Sequence, residues 1–525
     1  MPEPSTFSNT LIGMQREIDD LKRRLQANIP RGAGGGGATD WALPFIVVAP
    51  DGSGDYTNLT DALNAYTTGA HIYIKNGTYQ KNGEIVPNIS TDAPFYIEGA
   101  TKEGVILETT SASGAVFHAK GKIFLKNLTL KGSGWGNANS GLFMDADEAN
   151  ACTNSDFEDL LITECREGYL GYDNVWNVHF KRVMPFKCKI GFKATVDSEA
   201  SYAGINASFD RCWVPDLFGN VDYGFWLKKT NAIKILSCEV LSPVYDGCFI
   251  GESLGDGWDI FSGSAFDNCG RHGLNVGAEG SGGFIDLSAC WFKGGLTDAN
   301  GYAVNAVNTH SICVMGGVYI CYPNGGSGTH HIFNLNTCHY TRITGPRLIG
   351  HPNTLGDAIR VTNSTYCNFS DFFANDVIYV LQETGSSNYN NATDFSFGGI
   401  DAPATPVVLV GAQSTYDYND ITHANARHVN GEFYVGGSIY VLGTDYKIGA
   451  SSKRFAVYDA GSNVLSIGYD TDFSGIELKG GYIKATGGYL IGAHAAADGT
   501  AGVTQTVVAG GVTFVFKNGV LVSSY

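Results

Sequence analysis

The sequence is poor in charge and has no long hydrophobic run. Charged residues make up 16% of the 525 residues, against roughly 25% in an average domain. The formal net charge is −17, and the lack of a basic stripe argues against nucleic-acid binding. No apolar stretch reaches the roughly 18 residues that a membrane-spanning helix needs, so no membrane insertion is expected. The polar N-terminus without an apolar core predicts no signal peptide and folding in a reducing cytoplasm.

Metal-ligand spacings are also missing. The 12 cysteines form no Cys-x-x-Cys pair, and the adjacent His330 and His331 are a weak signal alone. We therefore expect no metal and no cofactor. No segment of a dozen residues shows the 3.6-residue spacing of helical repeats, which excludes a helical solenoid.

A repeated pattern is present instead. A six-residue pattern recurs at intervals of 23 to 32 residues, with a mean near 27. It begins and ends with a hydrophobic residue, its fourth position is small or apolar, and its other three positions are variable. A fixed period in this range marks a solenoid, whose units bury their apolar faces by stacking on one another. The pattern begins at Leu125, Phe157, Phe180, Phe209, Ile235, Phe261, Leu287, Val314, Ile343 and Phe369.

A second column runs in phase with the first. It is a glycine followed by a short apolar stretch, for example at Gly224, Gly247 and Gly273. Two short strands per repeat, separated by Gly, Asn and Asp turns, predict coils of β-structure. We expect an all-β chain with a right-handed parallel β-helix of about 10–12 coils over residues 45–412.

Three cysteines support this register. Cys212, Cys238 and Cys290 all occupy the fourth position of the first pattern. Stacked coils would place such thiols in one column at strand spacing, roughly 4.8 Å. We expect them to be buried, reduced and stacked as small apolar residues; a disulfide framework is the alternative.

The two ends differ from the middle. Residues 7–25 place Phe7, Leu11, Met14, Ile18, Leu21 and Leu25 on a heptad seam, which predicts a short coiled-coil stem within residues 1–30; a packed surface helix is the alternative. A glycine-rich linker follows at 31–44. Residues 413–525 contain short Gly-bounded strands and a Lys517-Asn518-Gly519 hairpin turn. Such short strands favour interleaving between chains, and so a homotrimer.

The start of the repeat region has its own motif. Residues 47–65 predict a strand, a glycine turn and an amphipathic helix with Leu59, Ala62 and Leu63 on one face, and a strand follows at 72–79. This stretch resembles the N-terminal cap of the pectin-lyase-like superfamily of right-handed parallel β-helices. The resemblance implies the fold but not the activity. The superfamily's G-F-x-A-x-D esterase run is represented only by Gly191-Phe-Lys-Ala194, without the Asp, so esterase chemistry is not carried over.

The whole layout of stem, β-helix and β-rich end resembles bacteriophage tail spikes and receptor-binding tail fibres. The closing residues 510–523, GGVTFVFKNGVLVS, are similar to the ends of many phage tail proteins. The resemblance implies a homotrimer in the virion tail, assembled in the host cytoplasm. It also implies binding to a host surface glycan, capsule or lipopolysaccharide. A large N-terminal virion-binding domain is missing, so the short helix is expected to dock on the tail or on an adaptor protein.

Candidate site residues precede equivalent glycines in three consecutive repeats. They are the pairs Asp222-Tyr223, Tyr245-Asp246 and Arg271-His272. We predict Asp222, Asp246 and His272 as catalytic, because two carboxylates and a histidine can supply an acid and a base for glycan cleavage. Tyr223, Tyr245, Arg271 and Trp258 are predicted to bind substrate. The alternative is that these are solvated turn residues.

Two further groups are weaker candidates. Glu252, Asp256, Trp258, Asp259 and Asp267 surround a loop between strands, and Trp213, Glu239 and Trp291 share one outward position of the repeat. A tryptophan there is either a sugar platform or a subunit contact. Three functions remain open: a glycan-degrading tail spike, a non-catalytic receptor-binding or structural tail protein, and a free carbohydrate esterase or lyase. The stem and the β-rich end count against the third.

Overall fold

The computed structural model divides the chain into two compact units, 1–433 and 434–525. The predicted stem and most of the linker lie outside the residues that the structure describes. The described residues are 43–410 except for 67–68, 83–93, 120, 146–151, 173–174, 197–205, 217–218, 254–257, 299, 323–329, 352–355 and 399–406, followed by 414–420, 426–429, 445–450, 453–459, 464–467, 505–509, 512–517 and 520–524.

The first unit is a parallel β-helix, as the sequence predicts. Each turn stacks on the next by parallel strand pairing, and the sheet described below as sheet 3 has 12 strands, which gives about 12 turns. Each turn contributes three strands rather than the two that the pattern predicts. The extra strand arises because the six-residue pattern spans a corner and supplies one strand on each side of it.

Three sheets therefore run along the helix. Sheet 1 contains Phe45–Val48, Ala70–Ile74, Phe95–Gly99, Val175–Lys181, Ser208–Asp210, Lys234–Leu236, Trp258–Ser262, Phe284–Ser288, Ser311–Met315, Arg342–Thr344, Asn368–Ser370 and Thr415–Asp420. Sheet 2 contains Gly77–Lys81, Val105–Thr109, Met184–Phe186, Trp213–Pro215, Glu239–Leu241, Ala265–Asp267, Trp291–Gly294, Val318–Cys321, Arg347–Ile349 and Phe373–Asn375. Three longer strands bend from sheet 1 into sheet 2: Ile123–Lys131, Cys152–Thr163 and Asn391–Gly398.

Sheet 3 closes each turn. Its strands are Ser113–Ala119, Ala138–Asp145, Glu167–Tyr172, Ile190–Thr195, Tyr223–Thr230, Cys248–Ser253, Leu274–Val276, Val304–Val307, Phe333–Asn336, Asp357–Thr362, Tyr379–Thr384 and Val407–Val408.

The corner between sheets 1 and 2 has a local cause. The third residue of each pattern adopts a left-handed backbone conformation, with φ of 52° at Arg211 and 51° at Ser237 and Ala289. One left-handed residue between two extended ones turns the chain sharply, and the fourth residue then points inward. The same conformation recurs at Asn127, Asp159, Arg182, Gly263, Gly316, Gly345, Asp371 and Asp394.

The core is a set of stacked side-chain columns. Phe157, Phe180 and Phe209 occupy the first position of successive patterns, and their rings stack at centroid distances of 5.1 and 5.0 Å. Phe192 stacks on Phe225 in the same way at 4.9 Å. All five are buried. Each turn thus covers the apolar face of the one before it, as a solenoid requires.

The first turn is covered by the predicted cap. The helix Leu59–Ala65 buries Leu59, Ala62 and Leu63, as expected, and the Asn58 side chain caps its N-terminus by accepting from the Asp61 N–H at 2.9 Å. The strand predicted at 72–79 is divided in two, Ala70–Ile74 and Gly77–Lys81, because the chain turns a corner at residues 75–76.

The cysteine column is also present. Cys212, Cys238 and Cys290 are buried with free thiols. Cys212 and Cys238 lie in successive turns, whereas Ser264 occupies the intervening position before Cys290. Burial raises the pKa of Cys290 to about 11 and that of Cys212 still further. The thiols therefore behave as small core residues.

The last described strands differ in their pairing. Thr415–Asp420 still pairs parallel to the preceding turn, three residues past the predicted end of the coils at 412, and then pairs antiparallel with Ala426–Val429. In the second unit, Asp445–Ala450, Lys453–Asp459 and Val464–Ile467 form an antiparallel sheet. Gln505–Ala509, Val512–Lys517 and Val520–Ser524 form another, whose last pair is the predicted hairpin.

Among the described helices, none has both the length and the apolar composition needed to span a membrane.

Candidate functional site

The strands of sheet 3 begin at glycines that cannot be replaced without displacing a neighbouring turn. A Cβ on Gly247 would lie 2.7 Å from the carbonyl oxygen of Gly273, and one on Gly273 would lie 2.6 Å from that of Ala303. These glycines let successive turns approach closely. The residues just before them are therefore stacked in register, which explains the second sequence column.

The register forms two rows rather than one. Asp222, Tyr245 and Arg271 lie in one row, since the Tyr245 N–H donates to the Asp222 carbonyl at 3.0 Å and the Arg271 N–H to the Tyr245 carbonyl at 2.9 Å. The next residues, Tyr223, Asp246 and His272, lie in the adjacent row. The structure thus brings six of the seven predicted site residues together, with the two aspartates in different rows.

Asp246 is fully buried, with an exposed fraction of 0%. Its carboxylate accepts four hydrogen bonds: from Arg271 Nε at 2.8 Å and Nη2 at 2.5 Å, from the His272 N–H at 3.1 Å, and from Asn275 Nδ2 at 3.2 Å. These donors occupy both carboxylate oxygens, so the group is bonded within the protein and not to solvent. The geometry contradicts the expectation that Asp246 projects from the surface, and it makes Asp246 the residue that positions Arg271.

Arg271 carries the charge that reaches the surface. Its side chain is 30% exposed, and the ion pair with Asp246 raises the guanidinium pKa above its usual range. The guanidinium carbon lies 5.7 Å from the Tyr245 ring centroid, and the Tyr223 phenol lies against the same group. Tyr223 and Tyr245 are 5.4 Å apart. The guanidinium thus lies over the Tyr245 ring and within hydrogen-bond reach of the Tyr223 side chain, and both tyrosines reach solvent.

Trp226 extends this surface along the outer face of sheet 3, next to the buried ring of Phe249. Trp226 stacks on Phe249 with centroids 5.8 Å apart, and Tyr223 packs edge-on against Phe249 at 6.4 Å. Lys193 Nζ lies 5.5 Å from the Trp226 ring. We call Tyr223, Trp226, Tyr245, Phe249 and Arg271 the Arg271 patch.

His272 lies beneath this surface. It is buried, its Nδ1 accepts the Tyr302 N–H at 3.1 Å, and its ring stacks on Tyr302 at 5.1 Å. Burial lowers its pKa to about 4, so the imidazole is neutral at pH 7. The expectation that His272 projects beside the aspartates is contradicted, because its ring packs toward the following turn.

Asp222 is the predicted catalytic residue that stays at the surface. It is half-buried, and its carboxylate has no hydrogen-bond or ion-pair partner among the described side chains. Its N–H donates to the Lys189 carbonyl at 2.6 Å. Of the three residues predicted as catalytic, Asp222 alone has a carboxyl group available to a ligand.

A groove adjoins Asp222 on the side of the preceding turns. It has a volume of about 410 Å³ and is lined by Gly134, Trp135, Glu164, Lys187 and Asn220. Lys189 links it to the Arg271 patch, since its carbonyl holds Asp222 while its Nζ lies 5.7 Å from the Trp135 ring.

Sequence reasoning missed this groove. Trp135 lies in the Gly132-Ser-Gly-Trp-Gly136 loop, just before a sheet 3 strand. A tryptophan among glycines in a loop was the available signal.

Trp258 lies elsewhere. It begins a sheet 1 strand and is 58% exposed, whereas Tyr223 begins a sheet 3 strand. The register places Trp258 beside Phe284 of the next turn. The structure therefore separates Trp258 from the other predicted binding residues.

The second predicted cluster is also divided. Asp259 is buried and accepts from Thr230, Ser253 and the Ile233 N–H, and burial raises its pKa to about 6. Asp267 lies on sheet 2 beside Trp291, and Glu252 on sheet 3. Asp256 is outside the described residues. Trp213 and Trp291 share an outward column of sheet 2 but are three turns apart.

Within the described part of the chain, no group of three or more His, Cys, Asp or Glu side chains is arranged to hold a metal ion.

Sequence comparison finds no matching family model and no matching curated protein. Comparison of the fold finds similar solved structures. The A-module of mannuronan C-5 epimerase AlgE6 from Azotobacter vinelandii is 11% identical, covering 69% of this chain and 93% of its own, with a TM-score of 0.44. Tailspike protein 3 of bacteriophage CBA120 is 10% identical, covering 87% and 77%, with a TM-score of 0.40. The Dettilon tailspike protein is 10% identical, covering 74% and 69%, with a TM-score of 0.35.

Proposed function

We propose that this chain is a phage tail spike that binds host cell-surface polysaccharide, capsule or lipopolysaccharide, through the Arg271 patch and its adjoining groove. The observation that carries the proposal is the Arg271 guanidinium, fixed by buried Asp246 and placed at the surface beside the neighbouring Tyr223 and Tyr245. The tail-spike assignment rests on the layout of the sequence, and the site rests on this geometry.

The patch has the chemistry that a sugar chain needs. Aromatic rings offer flat apolar faces and, in tyrosine, a hydroxyl. A guanidinium offers a rigid fork of N–H donors that fits a carboxylate or several hydroxyls. Because Arg271 is held by Asp246, little side-chain entropy is lost when a ligand binds.

The charges favour an acidic polysaccharide. Lys187 lines the groove together with Glu164, Lys189 lies beside its Trp135, and Arg271 supplies the cation of the patch. On a chain with a net charge of −17, these cations would pair with the carboxylates of an acidic ligand. Trp135 at the far end extends the site beyond the patch.

Cleavage of the bound polysaccharide is the second candidate function. Asp222 supports it, since its carboxyl group has no partner among the described side chains and Asp222 stands two residues after Asn220, which lines the groove together with Glu164. Asp222 would act as the acid or base, and Asp246 and His272 would support the site from beneath. A receptor-binding protein that does not cleave its ligand is the alternative.

Assembly is proposed on sequence grounds. Parallel chains joined by a stem at residues 1–30 and by the β-rich residues 413–525 would form a homotrimer. The N-terminal stem would attach to the virion tail or to an adaptor protein. The stem is outside the described residues, so the proposed trimer and its attachment to the tail rest on composition and spacing.

Binding and cleavage are tested together with purified polysaccharides. Capsule and lipopolysaccharide preparations are incubated with wild type, Asp222→Asn and the control Asp371→Asn, a carboxylate removed at a left-handed corner of sheets 1 and 2. Both functions are supported if all three proteins bind and if wild type and Asp371→Asn, but not Asp222→Asn, produce new reducing ends or unsaturated uronate. Binding without cleavage favours a receptor-binding protein. Binding of no preparation by wild type contradicts the proposal.

A further inference from the structure

A line of exposed tyrosines follows another corner of the β-helix, between sheets 3 and 1. Tyr340, Tyr366 and Tyr389 are 57%, 51% and 47% exposed. Tyr340 stacks on Tyr366 with centroids 5.5 Å apart and planes at 9°, and Tyr366 stacks on Tyr389 at 5.0 Å and 10°. We call these three residues the tyrosine ladder.

The ladder ends a longer aromatic row. His310 lies one turn earlier, with its ring 5.8 Å from Tyr340, and Phe284 lies 4.7 Å from His310. Trp258 pairs with Phe284 in the strand register. Exposed aromatic groups therefore follow one corner through six turns, on a different edge of sheet 3 from the Arg271 patch.

The backbone of the ladder is unusual for its side chains. All three tyrosines adopt the left-handed conformation, with φ of 53°, 60° and 57°, and they are the only aromatic residues with positive φ among those the structure describes. This conformation costs about 1–2 kcal/mol for a residue other than glycine. Because about half of each tyrosine side chain stays in water, the hydrophobic free energy gained by burying it offsets only part of this cost. Glycine or asparagine would make the same corner at lower cost. The ladder is therefore better explained by a ligand than by folding.

The size of the ladder argues against a protein partner. A large aromatic side chain buries roughly 150–250 Å², so three half-exposed rings offer about 300 Å². A stable protein interface needs about 800 Å² from each partner. The ladder is also one residue wide, whereas an interface centre is a broad apolar patch.

The neighbouring side chains indicate the ligand's chemistry. The residues flanking each tyrosine are His339 and Thr341, Thr365 and Cys367, and Asn388 and Asn390. Thr341, Cys367 and Asn390 are buried, and the three that share the surface with the tyrosines carry no carboxylate, ammonium or guanidinium group. The exposed Arg342, two residues after Tyr340, donates from its Nε to Thr344 Oγ1 at 3.4 Å. Because the rings cover one another's faces, the ladder presents ring edges and hydroxyls at intervals of about 5 Å along the helix axis.

We propose that the tyrosine ladder is a second polysaccharide-binding strip, selective for an uncharged, hydroxyl-rich glycan lying parallel to the helix axis. The proposal rests on the proposed function and extends it, since an acidic segment binds the Arg271 patch and a neutral one binds the ladder. Two separate strips on one rigid body raise the overall affinity for a long polymer by multivalency.

The test uses neutral and acidic probes on the full-length protein. Dextran and laminarin are the neutral probes, alginate is the acidic one, and retardation in polysaccharide-containing native gels measures binding. The variant replaces all three tyrosines with asparagine, which tolerates the left-handed conformation. The control is Phe45→Thr, an exposed aromatic on the first strand of sheet 1.

We expect the triple variant to bind a neutral probe at least roughly tenfold more weakly, as the loss of two or three hydrogen bonds implies. Alginate binding and the sedimentation coefficient should be unchanged, and Phe45→Thr should match wild type. Unchanged neutral-glucan binding in the triple variant overturns the proposal. So does a lower oligomeric state of that variant, which would make the ladder a subunit contact. If wild type binds alginate but neither neutral glucan, the ligand class is refuted while the Arg271 site stands.

Discussion

Asp246 and Arg271 form a bidentate ion pair across successive turns of the β-helix, with the carboxylate fully buried and the guanidinium at the surface. One residue therefore belongs to the core and its partner to the candidate binding site. The stability of the fold and the geometry of the site are coupled through this pair.

Asp246→Asn should destabilise the β-helix and weaken polysaccharide binding together. Breaking a buried ion pair from one side costs about 3–5 kcal/mol, and the lower end applies because Arg271 is 30% exposed. Thermal unfolding followed by circular dichroism measures the loss. Asp222→Asn is the matched control and should unfold with wild type. A normal unfolding temperature for Asp246→Asn would show that the pair contributes little.

Two buried groups should give opposing pH dependences of stability. Burial lowers the pKa of His272 to about 4 from an ordinary value near 6.5. The unfolded chain binds a proton at His272 more tightly than the folded chain does. The contribution of His272 to the free energy of unfolding is therefore complete above about pH 6.5 and is lost as pH falls toward 4. Burial raises the pKa of Asp259 to about 6, so its contribution is complete below about pH 4 and is lost as pH rises toward 6.

Asp259→Asn separates the two effects. The amide has nearly the same shape, and the hydroxyls of Thr230 and Ser253 can rotate to accept from it. The variant should be more stable than wild type at pH 7 and should lose stability more steeply on acidification from pH 6.5 to 4, because His272 then acts alone. Thermal unfolding across this range measures both. Parallel pH profiles for the two proteins would contradict the assignment of Asp259.

The corner between sheets 1 and 2 should respond predictably to substitution. Ala289 is exposed and has a φ of 51°. Ala289→Gly should raise the free energy of unfolding by about 1 kcal/mol, and Ala289→Val should lower it by a similar amount or more, since a β-branched residue is the least tolerant of this conformation. Denaturant titration compares the three proteins. Equal stability would mean that the left-handed corner is not maintained in solution.

The cysteine column should be chemically silent in the native protein. Cys212, Cys238 and Cys290 are buried, and burial raises the pKa of the first and third thiols. Thiol reagents at pH 8 should label them only after denaturation, as detected by peptide mass spectrometry. Rapid labelling of native Cys238 would contradict the stacked core.

The trimer prediction has a separate test. Native mass spectrometry of the full chain should show three copies, and removal of residues 1–30 and 413–525 together should yield single β-helices. A monomeric full-length chain would refute the trimer without affecting the β-helix.

The sequence predicts the fold well because the period of about 27 residues reflects backbone stacking directly. The third strand per turn escapes prediction because the pattern's third residue makes the corner, and Asn, Asp, Arg, Ser, Ala and Gly all fill that place. The site is predicted only in part. The glycines at 224, 247 and 273 place the right residues together, but the direction of Asp246 and His272 depends on side-chain packing across turns. The tyrosine ladder had a visible signal: Trp258, Phe284, Tyr340 and Tyr366 each stand three residues before a pattern start.

The most direct test of the Arg271 site is the affinity of the full chain for alginate after a single arginine-to-lysine change. Arg271→Lys keeps a positive charge opposite Asp246 but removes the planar fork beside Tyr223 and Tyr245. The control is Arg211→Lys, the same change in an exposed ion pair with Asp210. The account predicts roughly tenfold weaker binding for Arg271→Lys and wild-type binding for Arg211→Lys, with both variants folded. Equal affinities in all three proteins would contradict it.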